Sequence, residues 1–304
     1  PTKLYYSKNT DYQNNQLEDS FLESLAEGGY QVGELAKFLI SDNPYIDDIT
    51  VESLDYVESV KLTNHKLENE EVSIAEPAFL FNNLFVRVDL LQKKGNEIDI
   101  YEVKSKSWGY ESVDDQEFKV FIKEYKRGEN KGKRKIDPNW KSYLYDIAFQ
   151  RYVVRNLFPE MKINTHLVLA DKLSKTSIEG LNQFFKIENN NGRKSVNVRK
   201  DLNITELGTL PLKVVNVDQV CDFIENTEIE GNNFEDHIEH LSNLYKQKIR
   251  EWRKVDHNCF NCQYRNDSFF GLKSGFHECF KHSGYNINEE SNLVERIWRG
   301  TKKE

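Results

Sequence analysis

The sequence lacks any apolar run long enough to cross a bilayer, and its first residues lack the charged-then-apolar order of a secretory signal. We therefore expect a cytoplasmic protein without a membrane span. Its four cysteines, in a chain of 304 residues, are too few and too unevenly placed for a disulfide framework. No internal repeat is found, and the 38% hydrophobic and 12% aromatic content can build one large domain or two small ones.

An excess of basic residues is also missing, since 42 Lys and Arg face 50 Asp and Glu for a formal charge of −8. This disfavours a protein that coats nucleic acid by bulk attraction, because that mode needs a basic surface. One basic stretch, residues 123–135, carries seven Lys or Arg against two Glu. It predicts a local contact with a phosphate backbone, and a solvated flexible loop is the alternative. The candidate nucleic-acid-binding residues are Lys126, Arg127, Lys131, Lys133 and Arg134.

The first third of the chain mixes helical and extended patterns. Apolar spacing over residues 20–40 predicts two short helices broken at residues 28–29, both glycine, with Glu34 near the start of the second helix. Residues 48–60 and 73–81 are rich in Ile, Val, Tyr and Phe, and we expect extended segments there.

The middle of the chain contains the clearest strand pair and the clearest helix. Residues 84–91 and 97–104 predict a hairpin around the polar turn 92–96. Residues 140–158 predict a helix from apolar positions three and four residues apart, and Gln150 falls on its apolar face.

The remaining patterns complete a mixed α/β chain. Residues 166–170 predict a strand, residues 189–193 a polar turn, and residues 234–252 a long helix that leads to the cysteines. The expected domains are a core over residues 1–220 and a helical, Cys-rich segment over 221–304 that packs back on it.

Two carboxylates and a lysine gather where the predicted hairpin strands meet. Glu102 and Lys104 are two apart, so they point the same way and end an otherwise apolar row of the second strand. The hairpin brings Asp89 beside them. Two carboxylates, with the backbone carbonyl of Val103, offer hard oxygen ligands to Mg²⁺ or Mn²⁺, and a lysine can orient water or stabilise charge on a phosphorane. The set fits phosphodiester hydrolysis, although such a Glu-x-Lys pair is often only a solvated surface pair.

Two further side chains are candidates for the same site. Gln150 on an apolar helix face needs a polar group opposite it, which suits a helix beside an active site; a bond to the backbone is the alternative. Glu34 can add a third carboxylate to the metal site, although an isolated Glu on a helix is commonly solvated.

The cysteines crowd near the C-terminus with metal-knuckle spacing. Zinc can use three thiols and one histidine, whereas a [4Fe-4S] cluster prefers a fourth cysteine. Three inert thiols are the alternative. Cys221 lies on an apolar segment, where a free buried cysteine is expected. The candidate ligands are Cys259, Cys262 and Cys279, with His257, His277 and His282 nearby.

Several segments together resemble a bacterial RecB-like nuclease family catalogued as a domain of unknown function, within the PD-(D/E)xK superfamily. The likeness runs from Pro1 to about Cys279, and more distantly the chain is similar to CRISPR-adaptation exonucleases and AddB-type nuclease domains. It implies a restriction-endonuclease-like core, with a mixed central sheet flanked by helices, and a Cys-rich metal or iron-sulfur segment. The segments are PTKLYY, EGGYQVGELAKFL, VRVDLL, IYEVKSKS, YLYDIAFQRYVV and CFNCQYR followed by GLKSGFHECF.

The resemblance also implies roles for single residues. Asp89, Glu102 and Lys104 match the catalytic motif, Glu34 the early-helix metal ligand, and Gln150 a residue that touches the substrate or the active-site lysine. The chain departs from the pattern four residues after the Gln, where relatives often have Tyr. Val154 stands there, and Tyr152 lies on a different helix face.

The family also has a cluster cysteine directly before its Pro-x-Lys-Leu segment, whereas this sequence begins at Pro1. Either an upstream Cys completes a four-thiolate site, or zinc with a histidine, or an incomplete cluster, takes its place.

The sequence therefore predicts a Mg²⁺- or Mn²⁺-dependent DNase that acts on single strands or duplex ends, with an iron-sulfur cluster or zinc. A nuclease-like fold that only binds nucleic acid and an RNA-directed nuclease are the alternatives.

Overall fold

The computed structural model describes residues 1–15, 20–111, 116–128, 131–190, 193–229, 231–256, 259, 261–268 and 271–285, with the backbone alone at 20–25, 116–117, 190 and 193. The chain divides into two compact units. The sheet unit is Leu25–Phe234, and the terminal unit is Pro1–Ser24 together with Glu235–Glu304. The domain boundary placed at residue 220 from sequence stays a prediction.

Short strands and helices alternate along the chain. The strands are β1 (Glu71–Ala75), β2 (Ala78–Phe81), β3 (Leu84–Arg87), β4 (Leu90–Lys94), β5 (Glu97–Trp108), β6 (Ile122–Glu124), β7 (Arg134–Ile136), β8 (Lys162–Asp171), β9 (Lys186–Asn190), β10 (Arg193–Asn197) and β11 (Leu212–Asn216). The α-helices are α1 (Thr2–Ser7), α2 (Ser20–Ala36), α3 (Tyr56–Leu67), α4 (Gln116–Phe121), α5 (Lys141–Leu157), α6 (Ile204–Leu207), α7 (Asp218–Glu225), α8 (Phe234–Gln247) and α9 (Gly275–His282). Among the helices described, none is long and apolar enough to span a membrane.

A five-stranded sheet in the order β1-β4-β5-β8-β11 forms the centre of the sheet unit. Its first three strands are antiparallel neighbours, β8 runs parallel to β5, and β11 is antiparallel to β8. The parallel pair needs a crossover connection, and α5 supplies its helix. The fold is thus α/β, with a mixed central sheet flanked by helices, which confirms the coarse fold class expected from the sequence.

The β4–β5 hairpin supports the centre of the sheet. Its strands pair from Leu90–Tyr101 to Lys94–Glu97, so the turn is only two residues long and needs the positive φ of 55° at Gly95. The pairing of two strands at this place is confirmed, but the predicted turn over residues 92–96 is wrong, because residues 92–94 belong to β4. The first half of the predicted hairpin is also wrong. Residues 84–87 form β3, which pairs with β2 in a separate two-stranded sheet.

The reason for this break lies between β1 and β2. Pro77 has no N–H to donate to a ladder, and Glu76 before it has a φ of 57°, which turns the chain out of the central sheet. Two backbone bonds close the excursion, because Val88 donates to Pro77 and Glu76 donates to Asp89. Glu76 and Asp89 therefore lie side by side at the base of the β2–β3 hairpin.

Helix α5 covers β5 and β8, and it confirms the predicted helix to within one residue at each end. Its spacing of apolar residues buries one face, which includes Leu144, Ile147 and Val154. Gln150 lies on that face as expected, and so the helix aims an amide at the sheet.

The prediction of two helices broken at residues 28–29 is wrong, since α2 continues through both glycines. Glycine weakens a helix by about 1 kcal/mol relative to alanine but keeps its N–H and C=O, so the hydrogen-bond ladder remains possible. Glu34 consequently lies in the last turn of α2, not near the start of a second helix.

The extended segment predicted over residues 48–60 is wrong from Tyr56 onward, where α3 begins. The side chain of Asp55 accepts a hydrogen bond of 2.9 Å from the backbone N–H of Glu58 and caps this helix. The cap outweighs the strand preference of the aromatic and β-branched residues that follow. Only Thr50 makes a strand-like contact, an isolated parallel bridge to Ala75.

Two later boundaries also differ from expectation. Helix α8 ends at Gln247, short of the predicted residue 252, because Lys248 takes a left-handed conformation with φ 55°. In the turn predicted over residues 189–193, residues 189–190 end β9 and residue 193 begins β10, while residues 191–192 lie outside the described residues.

Candidate active site

Asp89 and Glu102 face each other across the β4–β5 hairpin. The register pairs Leu90 with Tyr101, so the next step places Asp89 opposite Glu102. A carboxylate oxygen of Asp89, Oδ2, accepts a hydrogen bond of 2.6 Å from the backbone N–H of Val103. This bond fixes the Asp89 side chain toward β5, and the two carboxylates predicted from sequence are brought together.

Glu102 is held from two sides. It is only 3% exposed, and its Oε2 accepts a hydrogen bond of 2.7 Å from Nε2 of Gln150 on α5. Its Oε1 forms an ion pair with Lys104. Gln150 is 4% exposed, and its Oε1 has no hydrogen-bond partner among the described residues. A buried amide oxygen without a donor is rare, so this atom marks a place where a ligand or water fits.

Lys104 lies between two acidic side chains. Its Nζ is 3.3 Å from Oδ2 of Asp146, a half-exposed residue on α5, in addition to its ion pair with Glu102. The register between β5 and β8 shifts directly after Lys104, so a bulge ends the regular ladder at this point. Such bulges re-aim side chains next to active sites.

The buried charges shift one another's pKa values. Burial raises the pKa of Asp89 to about 6, although its bond from Val103 opposes the shift. Burial and the charge of Asp89 raise the pKa of Glu102 to about 8. Burial lowers the pKa of Lys104, but Glu102 and Asp146 outweigh it, so the net shift is upward and the ammonium form is favoured. The site therefore combines a stable cation with carboxyls that resist ionisation in the absence of a further positive charge.

This arrangement predicts how stability depends on pH in the absence of a bound cation. Because the carboxyls of Asp89 and Glu102 bind protons more tightly in the folded state, their protonated forms stabilise the fold at low pH. We expect the free energy of unfolding to fall as the pH rises through about 6 and about 8. Urea denaturation in EDTA at several pH values measures this slope.

The matched variant is Glu102→Gln, which keeps the shape but removes one titrating group. Its slope between pH 5 and pH 8 should be shallower than that of the parent protein. Identical slopes for both proteins would contradict the buried-carboxyl assignment.

Glu76 is a carboxylate of this site that the sequence interpretation missed. Burial raises its pKa, the carboxylates of Glu34 and Glu102 raise it further, and Lys37 and Arg87 lower it. The negative charges of Glu34 and Glu102 therefore both act on Glu76. Nothing in the sequence pattern distinguishes it, because its position depends on the break before Pro77.

The side chain of Glu34 has two partners close to it in sequence. Its side chain pairs with Lys37 at 2.8 Å and accepts a hydrogen bond of 2.6 Å from the hydroxyl of Tyr45. Its charge acts on Glu76, which links it to the other carboxylates. Asp146 was also missed, although a signal existed, since it precedes Gln150 by one helical turn on the same face.

Two positions of α5 at which the sequence departs from the pattern that it resembles lie in the hydrophobic core. Val154 is fully buried, and Tyr152 packs its ring edge-on against Phe81 and Phe234.

The basic stretch lies on a small hairpin, β6–β7, with glycines at positive φ in the connection. All five predicted nucleic-acid-binding side chains are exposed, and they have no ion-pair partner among the residues described. These five are Lys126, Arg127, Lys131, Lys133 and Arg134.

Three cysteines lie close together in the terminal unit. The backbone N–H of Cys262 donates to the carbonyl of Cys259 at 3.1 Å, and Cys262 and Cys279 pack against the same buried tyrosines. Burial raises the pKa of Cys279, while its hydrogen bond with Tyr6 lowers it. The hydroxyl of Tyr6 lies 3.5 Å from Sγ of Cys279, and the rings of Tyr6 and Tyr264 are buried around the thiols.

The nearby histidines have other partners. His277 Nε2 lies 3.5 Å from a carboxylate oxygen of Asp267, and His282 stacks on Trp252 with ring centroids 4.2 Å apart. His257 lies outside the described residues. Cys221 is a free, buried cysteine on α7, as expected, and accepts a contact of 3.5 Å from the Thr165 hydroxyl.

In the part of the chain that the structure describes, no group of three or more His, Cys, Asp or Glu side chains has the arrangement of a metal site. Comparison of this chain with protein-family models, with curated proteins and with solved structures found no match.

Proposed function

We propose that this protein is a metal-dependent nuclease of the PD-(D/E)xK superfamily that hydrolyses phosphodiester bonds of DNA. The observation that carries the proposal is the position of Asp89 opposite Glu102, with Lys104 paired to Glu102 on the same strand. The mixed sheet flanked by helices, expected for this superfamily, supports it.

The oxygen donors of these residues suit Mg²⁺ or Mn²⁺ by their chemistry, although among the described residues they do not form a preassembled metal site. Both ions prefer oxygen ligands, and the carboxylates of Asp89 and Glu102 repel each other until a cation neutralises them. The unpartnered Oε1 of Gln150 beside Glu102 adds an oxygen without a donor. Asp89, Glu102 and the carbonyl of Val103 would hold the ion, with Glu34 as a further ligand. Bound there, it would supply Lewis acidity to a phosphate oxygen and to water.

The chain's own side chains have distinct tasks in this proposal. Asp146 and Glu102 hold the Lys104 ammonium in place, from which it donates to charge that develops on the phosphorane. Gln150 orients Glu102 through its 2.7 Å hydrogen bond. Asp89 is oriented by the N–H of Val103, so each acidic group has a fixed direction before substrate arrives.

The substrate we propose is a DNA single strand or duplex end. The exposed lysines and arginines of β6–β7 attract the phosphate backbone of DNA locally, whereas the negative net charge of the chain does not. The polarity of cutting is an outcome of the assay below. A cytoplasmic location stays a prediction.

The test is cleavage of end-labelled single-stranded DNA, duplex DNA and matched RNA with Mn²⁺, Mg²⁺ or EDTA. We expect cleavage with metal, none with EDTA, and none by Glu102→Ala prepared in parallel. Glu97→Ala is the matched control, because Glu97 lies on the same strand but in an exposed pair with Lys162. Cleavage of RNA alone would favour the RNA-directed alternative. Binding without cleavage under any condition would favour a nucleic-acid-binding module.

For the terminal unit we propose a [4Fe-4S] cluster, with Zn²⁺ as the alternative, bound by Cys259, Cys262 and Cys279. The packing of Cys262 and Cys279 against Tyr6, with Cys259 one turn before Cys262, supports the proposal. The fourth ligand is a further cysteine for the cluster, or a histidine for zinc.

Metal analysis of anaerobically purified protein tests this proposal. Iron with visible absorbance identifies the cluster, zinc identifies the alternative, and either should be lost in Cys279→Ser but kept in Cys221→Ser. Protein without either metal would contradict both.

A further inference from the structure

Among the described residues, the cations beside the carboxylates of the proposed site already have partners. Five carboxylates lie in or beside the site, whereas Lys37 is paired to Glu34 and Lys104 is paired to Glu102 and Asp146. Arg87 donates to the backbone carbonyls of Val51 and Ser53. A divalent ion neutralises the scissile phosphate, but the neighbouring phosphates of a strand need cations of their own.

Lys106 is the cation that meets this need. It lies in the bulge that follows Lys104, and its ammonium is 4.8 Å from the ring centre of Trp140 and 5.7 Å from that of Tyr143. No carboxylate among the described residues pairs with it. The two rings restrain the side chain through cation–π contacts and leave its three N–H donors without an acidic partner.

Tyr143 connects Lys106 to the active site. The ammonium of Lys104 lies 5.7 Å from the same ring, so the two lysines flank one tyrosine. Tyr143 also precedes Asp146 by three residues and Gln150 by seven on α5, which places all three on one face of the helix. Lys106 is therefore adjacent to the cleavage centre.

The residue that leads into the β6–β7 hairpin packs against one of the same aromatic rings. Phe121, which ends α4 directly before β6, packs against Trp108 and Trp140 at centroid distances of 5.7 and 5.2 Å. The ring that restrains Lys106 is thus also part of the base of β6–β7. The exposed lysines and arginines of the hairpin, which have no ion-pair partner among the described residues, therefore share an aromatic base with Lys106.

We propose that Lys106, positioned by Trp140 and Tyr143, binds the phosphodiester group next to the one that is cleaved, and that the strand continues from there to the β6–β7 hairpin. The ligand is a polynucleotide strand, so this inference rests on the proposed function for its substrate class. Lys106 acts in binding, while Lys104 acts on the reacting phosphate.

The test is the affinity of a fluorescein-labelled single-stranded oligonucleotide, measured by anisotropy with EDTA and again with Ca²⁺. Lys106→Gln should raise Kd about 5- to 10-fold and lower the slope of log K against log salt by about 0.7, as expected for one lost phosphate contact. Lys106→Arg should restore binding. Lys141→Gln is the matched control, since Lys141 lies 5.3 Å from the Tyr145 ring on another face of α5 and should change Kd less than 2-fold.

Cleavage with Mn²⁺ separates this inference from the proposed function. Lys106→Gln should raise KM with a small effect on kcat, because the contact is made equally in the ground and transition states. Parent protein that cleaves, with Lys106→Gln unchanged in both Kd and KM, would overturn the subsite and leave the nuclease intact. Parent protein that binds without cleavage, with binding weakened by Lys106→Gln, would retain the subsite and overturn the nuclease. No binding with EDTA or Ca²⁺ would overturn the subsite.

Discussion

Lys104→Ala should abolish cleavage, with a loss of at least about 100-fold in kcat, the size seen when a donor to developing charge is removed. Lys104 is the only cation in the described residues that is paired directly with Glu102, and Asp146 holds it there. Because it is not an oxygen donor, its removal should leave affinity for Mn²⁺ nearly unchanged. Kinetics with single-stranded DNA and a Mn²⁺ titration measure the two effects separately.

Asp89→Ala provides the contrast, since it removes a proposed ligand. It should weaken both Mn²⁺ binding and cleavage, whereas Lys104→Ala weakens cleavage alone. Lys141→Ala, on the exposed side of α5, should change neither. Full activity in Lys104→Ala would show that the catalytic assignment is wrong.

Trp108→Ala should have the largest effect on stability, a loss of about 3–5 kcal/mol in the free energy of unfolding. Trp108 is 1% exposed and contacts the rings of Phe121, Trp140 and Tyr110, and its indole N–H donates to the carbonyl of Tyr110 at 2.9 Å. Truncation leaves a cavity at the base of β6–β7 and removes a hydrogen bond.

Urea denaturation of Trp108→Ala and Trp108→Phe tests this packing. The Phe variant should lose clearly less, because it keeps an aromatic ring in the same space. A loss of less than about 1 kcal/mol in the free energy of unfolding of the Ala variant would mean that neighbouring side chains fill the cavity. That result would contradict a rigid aromatic cluster around Trp108.

Local sequence patterns were sufficient to predict α5 and the pairing of β4 with β5. Spacing of three and four residues placed Gln150 on the buried face, and alternation along β5 placed Glu102 and Lys104 together. Both rules need only the residues of one element and its neighbour. The facing pair of Asp89 and Glu102 follows from these rules and from the turn at Gly95.

Glu76 needed information that no local pattern contains, and the spacing of Asp146 from Gln150 gave a signal whose meaning depends on the fold. Glu76 reaches the site because the chain leaves the sheet at Pro77 and returns at Asp89. Asp146 becomes relevant only once α5 lies over β5, which brings it to Lys104. The start of α3 was missed for a different reason, since strand preference at Tyr56 and Val57 was weighed without the Asp55 cap.

The composition of the terminal unit has a consequence for biosynthesis. Its two segments, Pro1–Ser24 and Glu235–Glu304, belong to one compact unit, so residues separated in sequence by the whole sheet unit must meet. Ribosomes add about 5–20 residues per second, and the sheet unit is complete before the late segment emerges. We therefore expect α1 to remain without its partners in the late segment until the whole sheet unit has been synthesised, and Tyr6 to meet Cys279 only after Cys279 has left the exit tunnel.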